Sequence, residues 1–401
     1  MIPLLLLAHR LPYPPNRGDK IRSYHLMKWL SQYFDIYLGT FYDDPKDEKY
    51  IDDIRCFTKE IFAVPLPLNK FKKIKKGLVA LVKGKPVTVE CFRSKSMQTW
   101  VNNTVTNNRI AHAFVICSSM APYVLNKNLK FENKIIDLID LDSDKWFQYY
   151  QKFSGIMSLI YLRESKKLFK FEKEIAEHFD SCLFVSQVET TLFNEKTYNQ
   201  YMDSTFSIQN GIDSDYFCSQ HIDESNLQER QYLVFTGTMN SISNVESILW
   251  FINTVWLRLH QAYPSLELFI VGNTPVEKVL YWHNKLGITV TGFVSDVRPF
   301  LKYCIVAVAP MILARGVQNK VLEAMAMGKS LVLTKKAAEG VLISEPQLNF
   351  VTNDDSEMLV FLSYLIDNPA EAATVGKLNR QFVLREYSWE KTLEPLRTLL
   401  S

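Results

Sequence analysis

Short apolar runs recur along the chain, each followed by a polar or glycine-containing loop and then by apolar residues at helical spacing. Runs of this length, bounded by breakers, predict buried parallel strands. They cover residues 4–8, 35–41, 61–65, 113–118, 134–141, 181–186, 232–237, 266–272, 290–293, 305–311 and 330–334. Because strands and helices alternate, the pattern predicts an α/β protein with doubly wound, Rossmann-like domains.

The chain is 401 residues long, a length that suits two domains. Residues 220–231 are polar and linker-like. We predict a first domain over residues 1–212, with residues 384–401 crossing back to pack on it, and a second domain over residues 213–383. Open α/β sheets bind ligands at the carboxyl ends of their strands, so the loops that follow the runs are candidate sites.

The loop and helix at residues 315–328 carry the clearest candidate chemistry. Gly316 allows a ligand to approach the backbone closely, and a helix N-terminus attracts anions. Arg315 and Lys320 add donors suited to phosphate oxygens, and Glu323 is placed for a ribose diol. The stretch predicts a nucleotide-diphosphate pocket, although an ordinary crossover helix with a solvated charged face fits this stretch equally well.

The sequence from Arg315 to Met325 resembles the donor-binding motif of family 4 glycosyltransferases of the GT-B fold. The residues of this motif are most similar to those of the sugar transferases associated with PEP-CTERM/exosortase systems, and the similarity covers nearly the whole chain. The family motif carries two glutamates eight positions apart. Glu323 matches the second, whereas Arg315 stands in place of the first.

This resemblance implies two Rossmann-like domains that face a cleft. It also implies transfer, with retained configuration, of a sugar from a nucleotide-diphosphate sugar to a hydroxyl of a glycan or lipid-linked acceptor. Neither a metal nor another cofactor is expected. Two rival interpretations remain open: a non-catalytic GT-B subunit of a glycan-assembly complex, and a nucleotide-sugar epimerase.

The resemblance also assigns a donor side. Many relatives place an arginine after the first strand of the second domain, where this chain has Gly237 and Thr238. We therefore expect the diphosphate to rely on backbone amides and on Arg315 and Lys320, the two basic residues assigned to catalysis. The other candidates on the donor side are Gly292, Phe293, Gly316, Val317, Gln318 and Glu323.

On the acceptor side, the loop after the first run ends at a helix start, and Asp19 is predicted to cap that helix. The resemblance makes Arg10, Gly18, Asp19 and Lys20 candidates there. Relatives place a catalytic histidine where we align Ile139, so Asp140 is our candidate for taking a proton from the acceptor hydroxyl. Capping of the following helix by the nearby acidic residues is the alternative.

Asn210 and Gly211 belong to an Asn-Gly-Ile-Asp motif that the family shows at the domain junction. We expect the backbone at Gly211 to approach the cleft, with a plain turn as the alternative. Residues 149–179 are predicted to form one long helix with a solvated charged side.

Residues 70–85 hold seven lysines and no acidic residue, with apolar positions at helical spacing. This pattern predicts contact with an anionic membrane surface, and a solvated lysine face over a core helix is the alternative. The net charge of +3 implies no general polyanion field, so nucleic acid is not an expected partner. Six scattered cysteines without a CxxC pair, and no apolar run long enough to span a bilayer, predict a cytoplasmic protein. If residues 70–85 contact a membrane as predicted, the protein is peripheral on the inner membrane face.

Overall fold

The structure, a computed structural model, describes all residues except 16, 67–76, 78–79, 82–83, 127, 221, 223–225, 315–316, 344 and 401. The chain divides into two compact units. The first comprises Met1–Gln209 and Leu393–Ser401, and the second comprises Asn210–Thr392.

The first unit is built on a seven-stranded parallel sheet with the order β3-β2-β1-β4-β5-β6-β7. Its strands are β1 (Ile2–Ala8), β2 (Phe34–Tyr42), β3 (Glu60–Pro65), β4 (His112–Ile116), β5 (Asn133–Ile139), β6 (Ser181–Phe184) and β7 (Thr205–Ser207). Its helices include α1 (Gly18–Leu30), α2 (Val87–Cys91), α3 (Lys95–Asn107), α4 (Asp142–Lys152), α5 (Ile156–His178) and α6 (Gln187–Lys196), with 3₁₀ turns at Pro45–Phe57, Ser118–Tyr123 and Met202–Ser204.

The second unit is built on a five-stranded parallel sheet with the order β10-β9-β8-β11-β12. Its strands are β8 (Tyr232–Thr236), β9 (Glu267–Val271), β10 (Ile288–Gly292), β11 (Val306–Ala309) and β12 (Leu331–Leu333). Its helices are α7 (Ile242–Phe251), joined by a π turn (Ile252–Trp256) to α8 (Leu257–Ala262), then α9 (Glu277–Leu280), α10 (Arg298–Tyr303), α11 (Asn319–Ala326), α12 (Lys335–Ala338), α13 (Glu345–Leu348), α14 (Asp355–Asp367), α15 (Pro369–Glu386) and α16 (Trp389–Leu393). A 3₁₀ turn lies at Asn226–Glu229, and the chain ends in α17 (Leu396–Leu400).

Both sheets are covered by helices, so their strands are apolar on both faces. Leu4, Leu5, Leu6 and Leu7 in β1 are fully buried, as are Leu233 and Phe235 in β8. The predicted fold class of two doubly wound parallel-sheet units is confirmed.

Each sheet has a point where the strand order reverses, between β1 and β4 in the first unit and between β8 and β11 in the second. The connections leaving the two central strands run in opposite directions there, which leaves a crevice at their carboxyl ends. The loops after Ala8, Ile116, Thr236 and Ala309 therefore mark the position for a ligand in each unit.

A buried ion pair ties α1 to the centre of the first sheet. Arg22 and Asp137 are both fully buried, and the guanidinium binds both carboxylate oxygens, with Nε 2.5 Å from Oδ2 and Nη2 3.1 Å from Oδ1. Asp137 Oδ1 also accepts a bond of 3.2 Å from the Ile139 N–H. Because the pair is bidentate and enclosed, each charge depends on the other.

Two local predictions were wrong. Residues 149–179 do not form one helix, because α4 ends at Lys152 and α5 begins at Ile156, with Gly155 between them in a left-handed conformation (φ +82°). Asp19 does not cap α1: the helix begins at Gly18, the residue before it is Arg17, and no side chain caps it among the described residues. Asp19 instead pairs with basic side chains of the preceding loop.

We predict that Arg22→Met lowers the free energy of unfolding of the first unit by about 3–5 kcal/mol, because it leaves the Asp137 charge buried without its partner. Urea denaturation followed by circular dichroism measures the change. Arg55→Met is the matched control, since Arg55 pairs with Asp52 at the surface and is 66% exposed, and it is expected to change little. Equal effects of the two variants would contradict the role assigned to the buried pair.

Candidate functional site

The ammonium of Lys320 lies where the second sheet reverses its strand order. Its Nζ donates to Asn244 Oδ1 at 2.6 Å and lies 4.3 Å from the centre of the Phe235 ring in β8. It is also 3.5 Å from the sulfur of Met311, which follows β11. Lys320 belongs to the first turn of α11, so the helix start brings this cation to the ends of β8 and β11.

Glycines after β8 and β9 make room for this arrangement. A Cβ at Gly237 would lie 2.7 Å from Asn244 Nδ2 and 3.2 Å from Lys320 Nζ. A Cβ at Gly272 would lie 1.7 Å from the carbonyl oxygen of Gly237. Asn244 Nδ2 donates to the carbonyl of Thr238 at 3.0 Å, so one amide side chain joins the Gly237–Thr238 loop to the Lys320 ammonium.

Asn244 was not among the residues that the sequence assigned to the site. The sequence signal for it is modest: a polar residue in the first turn of the helix that follows Gly237 and Thr238. Its partner Lys320 is 76 positions away, and only the fold brings the two together.

Burial changes the acid–base properties of this region. Burial lowers the pKa of Lys320 to about 7, against the opposing attraction of Glu323. Burial also raises the pKa of Glu323 to about 7, against the opposing attraction of Lys320. The two side chains are one helical turn apart. An anion placed at the ammonium would favour its charged form, so the site is suited to bind phosphate oxygens with uptake of a proton.

The other predicted residues of the α11 loop are only partly described. Val317 packs against the core and Gln318 directly precedes the helix, whose N-terminus no described side chain caps. The next residue, Asn319, accepts a bond of 3.1 Å from Asn210 Nδ2. Arg315 and Gly316 lie outside the described residues, so their predicted contacts with a diphosphate remain predictions.

Gly211 has a close neighbour within its own unit. A Cβ there would lie 2.7 Å from the backbone N and Cα of Trp389. Beside it, Ile212 N–H donates to the carbonyl of Tyr387 at 2.7 Å. A contact with the chain itself therefore accounts for glycine at this position without a ligand.

Gly292 and Phe293 end β10, where the sequence placed the nucleotide base. Gly292 has a left-handed conformation (φ +69°), with open space where a Cβ would lie. Phe293 is 75% exposed. These residues offer accessible backbone rather than an enclosed side-chain pocket.

In the first unit, the Asp19 carboxylate lies close to three basic side chains of the loop that follows β1. Arg10 Nη1 donates to its carboxylate at 2.7 Å, His9 Nε2 lies 3.3 Å away, and Arg17 Nε lies 3.6 Å away. Burial raises the pKa of Asp19, but the hydrogen bond from His9 and the charges of His9, Arg17 and Arg10 outweigh it, so the pKa lies well below its usual range. His9 Nδ1 is buried without a described hydrogen-bond partner.

Gly18 and Lys20, the other two candidates of this loop, differ in their surroundings. Gly18 is the exposed first residue of α1. Lys20 is buried, and its ammonium donates to Asp47 at 2.7 Å. The charge of Lys20 is therefore balanced within its own unit, whereas Arg10 remains partly exposed.

Asp140 follows β5 at a strained turn. Ile139 has a φ of +69°, and the Asp140 N–H donates to the carbonyl of Leu138 at 3.0 Å. This three-residue turn is rare for a β-branched residue and costs about 1–3 kcal/mol. The surrounding β5 ladder shifts register between Asp137 and Ile139, which directs the chain out of the sheet at this point.

Burial raises the pKa of Asp140 to about 6. Lys145 and Arg22 act against this rise, and Asp142 and Asp137 add to it. A carboxylate with such a pKa is mostly ionised at pH 7 yet accepts a proton readily, as a general base requires. Asp140 thus has the electrostatic character that its predicted role needs.

Helix capping does not explain Asp140. Two glutamates from other helices bind the backbone at the start of α4: Glu189 accepts from the Leu141 N–H at 2.8 Å, and Glu172 accepts from the Ser143 N–H at 3.1 Å. No capping bond from a side chain of the α4 N-cap itself is present in the described part of the chain. The alternative assignment of this acidic cluster is therefore not supported for Asp140.

No group of three or more His, Cys, Asp or Glu side chains among the described residues is arranged to hold a metal ion. No helix in the described ranges combines the length and the apolarity needed to cross a bilayer. None of the six cysteines, which all lie in the described part of the chain, forms a disulfide.

Residues 230–368 match the family model described as "Glycosyl transferases group 1". The chain is 21% identical over 379 residues to an uncharacterized 44.6 kDa protein in the cps region of Klebsiella pneumoniae, covering 92% of this chain and 91% of that protein.

Among solved structures, the chain is similar to HepE of Anabaena in complex with UDP, at 13% identity and a TM-score of 0.68, covering 100% of this chain and 99% of that one. The same protein is also solved with UDP-glucose. A second similar structure is sucrose-phosphate synthase of Thermosynechococcus elongatus, at 14% identity and a TM-score of 0.69, covering 100% and 98%. The fold is thus the GT-B fold, and the family match over the second unit supports glycosyltransferase activity.

We predict that neighbouring charges tune the pKa of Asp140 in opposite directions. Asp142→Asn removes a like charge and lowers the pKa of Asp140 below about 6, whereas Lys145→Met removes an attracting charge and raises it. Titration of side-chain carboxyl carbons by NMR measures both. Lys152→Met, at the far end of α4, is the control and leaves the pKa of Asp140 unchanged. Identical titration curves in all variants would show that Asp140 does not have these neighbours.

Proposed function

We propose that the protein transfers a sugar from a nucleotide-diphosphate sugar to a hydroxyl acceptor. The observation that carries the proposal is the half-buried Lys320 ammonium at the ends of β8 and β11. It lies next to the Gly237–Thr238 loop, where a side chain at Gly237 or Gly272 would collide with neighbouring atoms. The match of residues 230–368 and the UDP and UDP-glucose bound by a protein of the same fold support it.

In this proposal the donor diphosphate binds the ammonium of Lys320 and the backbone amides at the start of α11. Transfer breaks the bond between the anomeric carbon and the diphosphate, so negative charge grows on the departing oxygen. A cation and amides already in place stabilise that charge without reorganisation. Arg315 adds a second positive charge, which takes the place of the arginine that relatives carry near Thr238. Glu323 accepts hydrogen bonds from the ribose hydroxyls.

On the acceptor side, Asp140 takes the proton of the attacking hydroxyl as the new bond to the anomeric carbon forms. Its raised pKa suits this task. Arg10, in the loop after β1, is held by Asp19 and Asp43 at 2.7 and 3.2 Å. Its guanidinium is partly exposed, and it binds an anionic or hydroxyl-rich part of the acceptor.

The finer features of the reaction are also proposals. We propose retention of the anomeric configuration, as the resemblance implies. We also propose independence of metal ions, since Lys320 and Arg315 supply the positive charge that a metal would otherwise supply. The similarity to a protein from a cps region supports an acceptor in surface-polysaccharide synthesis, either a glycan or a lipid-linked sugar. The predicted membrane contact through residues 70–85 falls largely outside the described residues and stays a prediction.

One rival retains specific support. Thr238 and Arg315 replace an arginine and a glutamate that the resemblance leads us to expect, so a GT-B subunit that binds nucleotide without transferring sugar fits these two positions. Nucleotide binding without turnover on any hydroxyl acceptor would favour this rival, whereas product formation would exclude it.

We predict that Lys320→Met weakens binding of UDP or GDP by about 1.5–3 kcal/mol, since it removes a charged donor from the phosphate. Calorimetric titration with both nucleotides measures the loss and identifies the base. Lys377→Met, which removes an exposed lysine of the same unit, is the matched control and binds as wild type.

The pH dependence makes this prediction sharper. Because burial lowers the pKa of free Lys320 to about 7, wild-type affinity falls as the pH rises from 7 to 9, and the fall is smaller in Lys320→Met. Burial also raises the pKa of Glu323 to about 7, so Glu323 loses its proton over the same range, and the fall that remains in Lys320→Met reports its negative charge. A Lys320→Met variant with wild-type affinity and pH dependence would exclude Lys320 from the phosphate site.

We predict that Asp140→Asn lowers kcat by about 10²–10⁴-fold, the usual contribution of a general base. Nucleotide affinity is expected to be unchanged, since Asp140 belongs to the first unit and the nucleotide binds the second. Initial rates of nucleotide release with a panel of hydroxyl acceptors measure kcat, and NMR of the product gives the anomeric configuration. Full activity in this variant would remove Asp140 from the mechanism.

A further inference from the structure

The turn between α4 and α5 exposes a group of apolar side chains that a folded protein in water would ordinarily cover. Ile156 is 80% exposed, Met157 51%, Leu159 64% and Ile160 39%. These four residues form the first turn of α5. We call them the α5 apolar turn. Positions 156, 159 and 160 share one helical face, so the exposed apolar surface is continuous.

Aromatic side chains lie directly beneath the apolar turn. The Tyr161 ring contacts Trp146, Tyr149 and Phe153, with ring centres 5.5, 5.9 and 6.1 Å apart. All four rings are only half-buried. Tryptophan and tyrosine with an apolar body and a polar tip are enriched at the boundary between lipid chains and headgroups.

Most charged residues around the α5 apolar turn are basic. Residues 145–170 contain the basic residues Lys145, Lys152, Arg163, Lys166, Lys167 and Lys170, and a single acidic residue, Glu164. Glu164 is buried, and its carboxylate accepts from the N–H groups of Val87 and Thr88 at 3.0 and 2.9 Å. Between residues 145 and 170, the exposed charged side chains are therefore all basic.

The basic residues are placed to reach a headgroup layer while the apolar turn enters it. Lys152 ends α4 just before the turn, and Lys166 follows Ile160 by six residues, or about 9 Å along the helix. Lys166 and Lys170 are exposed. Their long side chains can keep the ammonium in water beside a buried apolar neighbour.

The described end of the lysine-rich stretch lies next to α5. Arg163 donates to the carbonyls of Ala80 and Lys85 at 3.2 and 3.1 Å. Residues 80 and 85 are the described end of the lysine-rich stretch at 70–85. The hairpin and the end of that stretch thus form one side of the first unit.

We propose that the α5 apolar turn, with Lys152, Lys166 and Lys170, docks the protein on an anionic lipid bilayer. A second copy of this chain is the less favoured occupant, because two such surfaces would bring like charges together. Insertion of a few apolar side chains combined with attraction of lysines to anionic headgroups is the usual physics of interfacial binding. The inference goes beyond the proposed function, since it requires neither a nucleotide donor nor sugar transfer.

The test is co-sedimentation of the full chain with vesicles, in the absence of nucleotide and acceptor. Wild-type protein is expected to bind vesicles of phosphatidylcholine with 30% phosphatidylglycerol, a composition we choose to supply anionic headgroups at about one lipid in three. It is expected to bind pure phosphatidylcholine weakly. The combined variant Ile156→Ser, Met157→Ser, Leu159→Ser is expected to lose about tenfold or more in affinity for the anionic vesicles. The variant Lys166→Glu, Lys170→Glu is expected to lose a similar factor and to show a weaker dependence on salt.

The control variant Val360→Ser, Leu384→Ser removes two apolar side chains of the second unit that are 62% and 45% exposed, and it is expected to bind as wild type. Circular dichroism checks that all variants fold, which the exposure of the substituted residues favours. Wild-type vesicle binding by the triple serine variant would overturn the proposal. So would light scattering that shows a wild-type dimer, dissociated by the serine substitutions, with no vesicle binding.

Discussion

The constraint on which both units depend is the reversal of strand order in a parallel sheet. Every strand ends at the same edge, and at the reversal the connections leave in opposite directions, so neither helix covers the ends of the central strands. In the first unit these ends belong to β1 and β4, and in the second to β8 and β11. Polar side chains from distant parts of the sequence meet at these edges, which explains why chemistry concentrates there while the sheet interior is apolar.

Buried charges serve two different purposes in this protein. Arg22 and Asp137 neutralise each other completely in a bidentate contact and so hold α1 on β5. Among the described residues, neither Lys320 nor Asp140 has a bidentate partner of opposite charge, and burial moves the pKa of each toward neutrality. A charge that its neighbours satisfy supports the scaffold, whereas a charge that burial leaves partly unsatisfied remains available to a substrate.

The sequence predicted the strands and the fold class because apolar runs and their spacing record burial directly. The assignment of Lys320 to a diphosphate and of Glu323 to a ribose rests on their place at a helix start after a buried strand, and it stays a prediction. The sequence did not assign Asn244 to the site, because the partner of that side chain is 76 positions away. It mistook Asp19 for a helix cap, because local spacing cannot show that Arg10 and His9 fold back on that carboxylate. Gly155 interrupts the helix predicted over residues 149–179, a break that apolar spacing alone conceals.

The contact between Gly237 and Gly272 restricts which residue can occupy position 272. Any side chain at residue 272 would collide with the carbonyl of residue 237, 1.7 Å from the first added carbon, and moving that carbonyl would displace the loop that holds Asn244 and Lys320. A substitution at residue 272 would therefore act on the proposed donor site indirectly, through the backbone of Gly237. Because every residue type has that carbonyl, divergent homologues that keep the Lys320 arrangement should keep glycine at residue 272 whichever residue stands at 237.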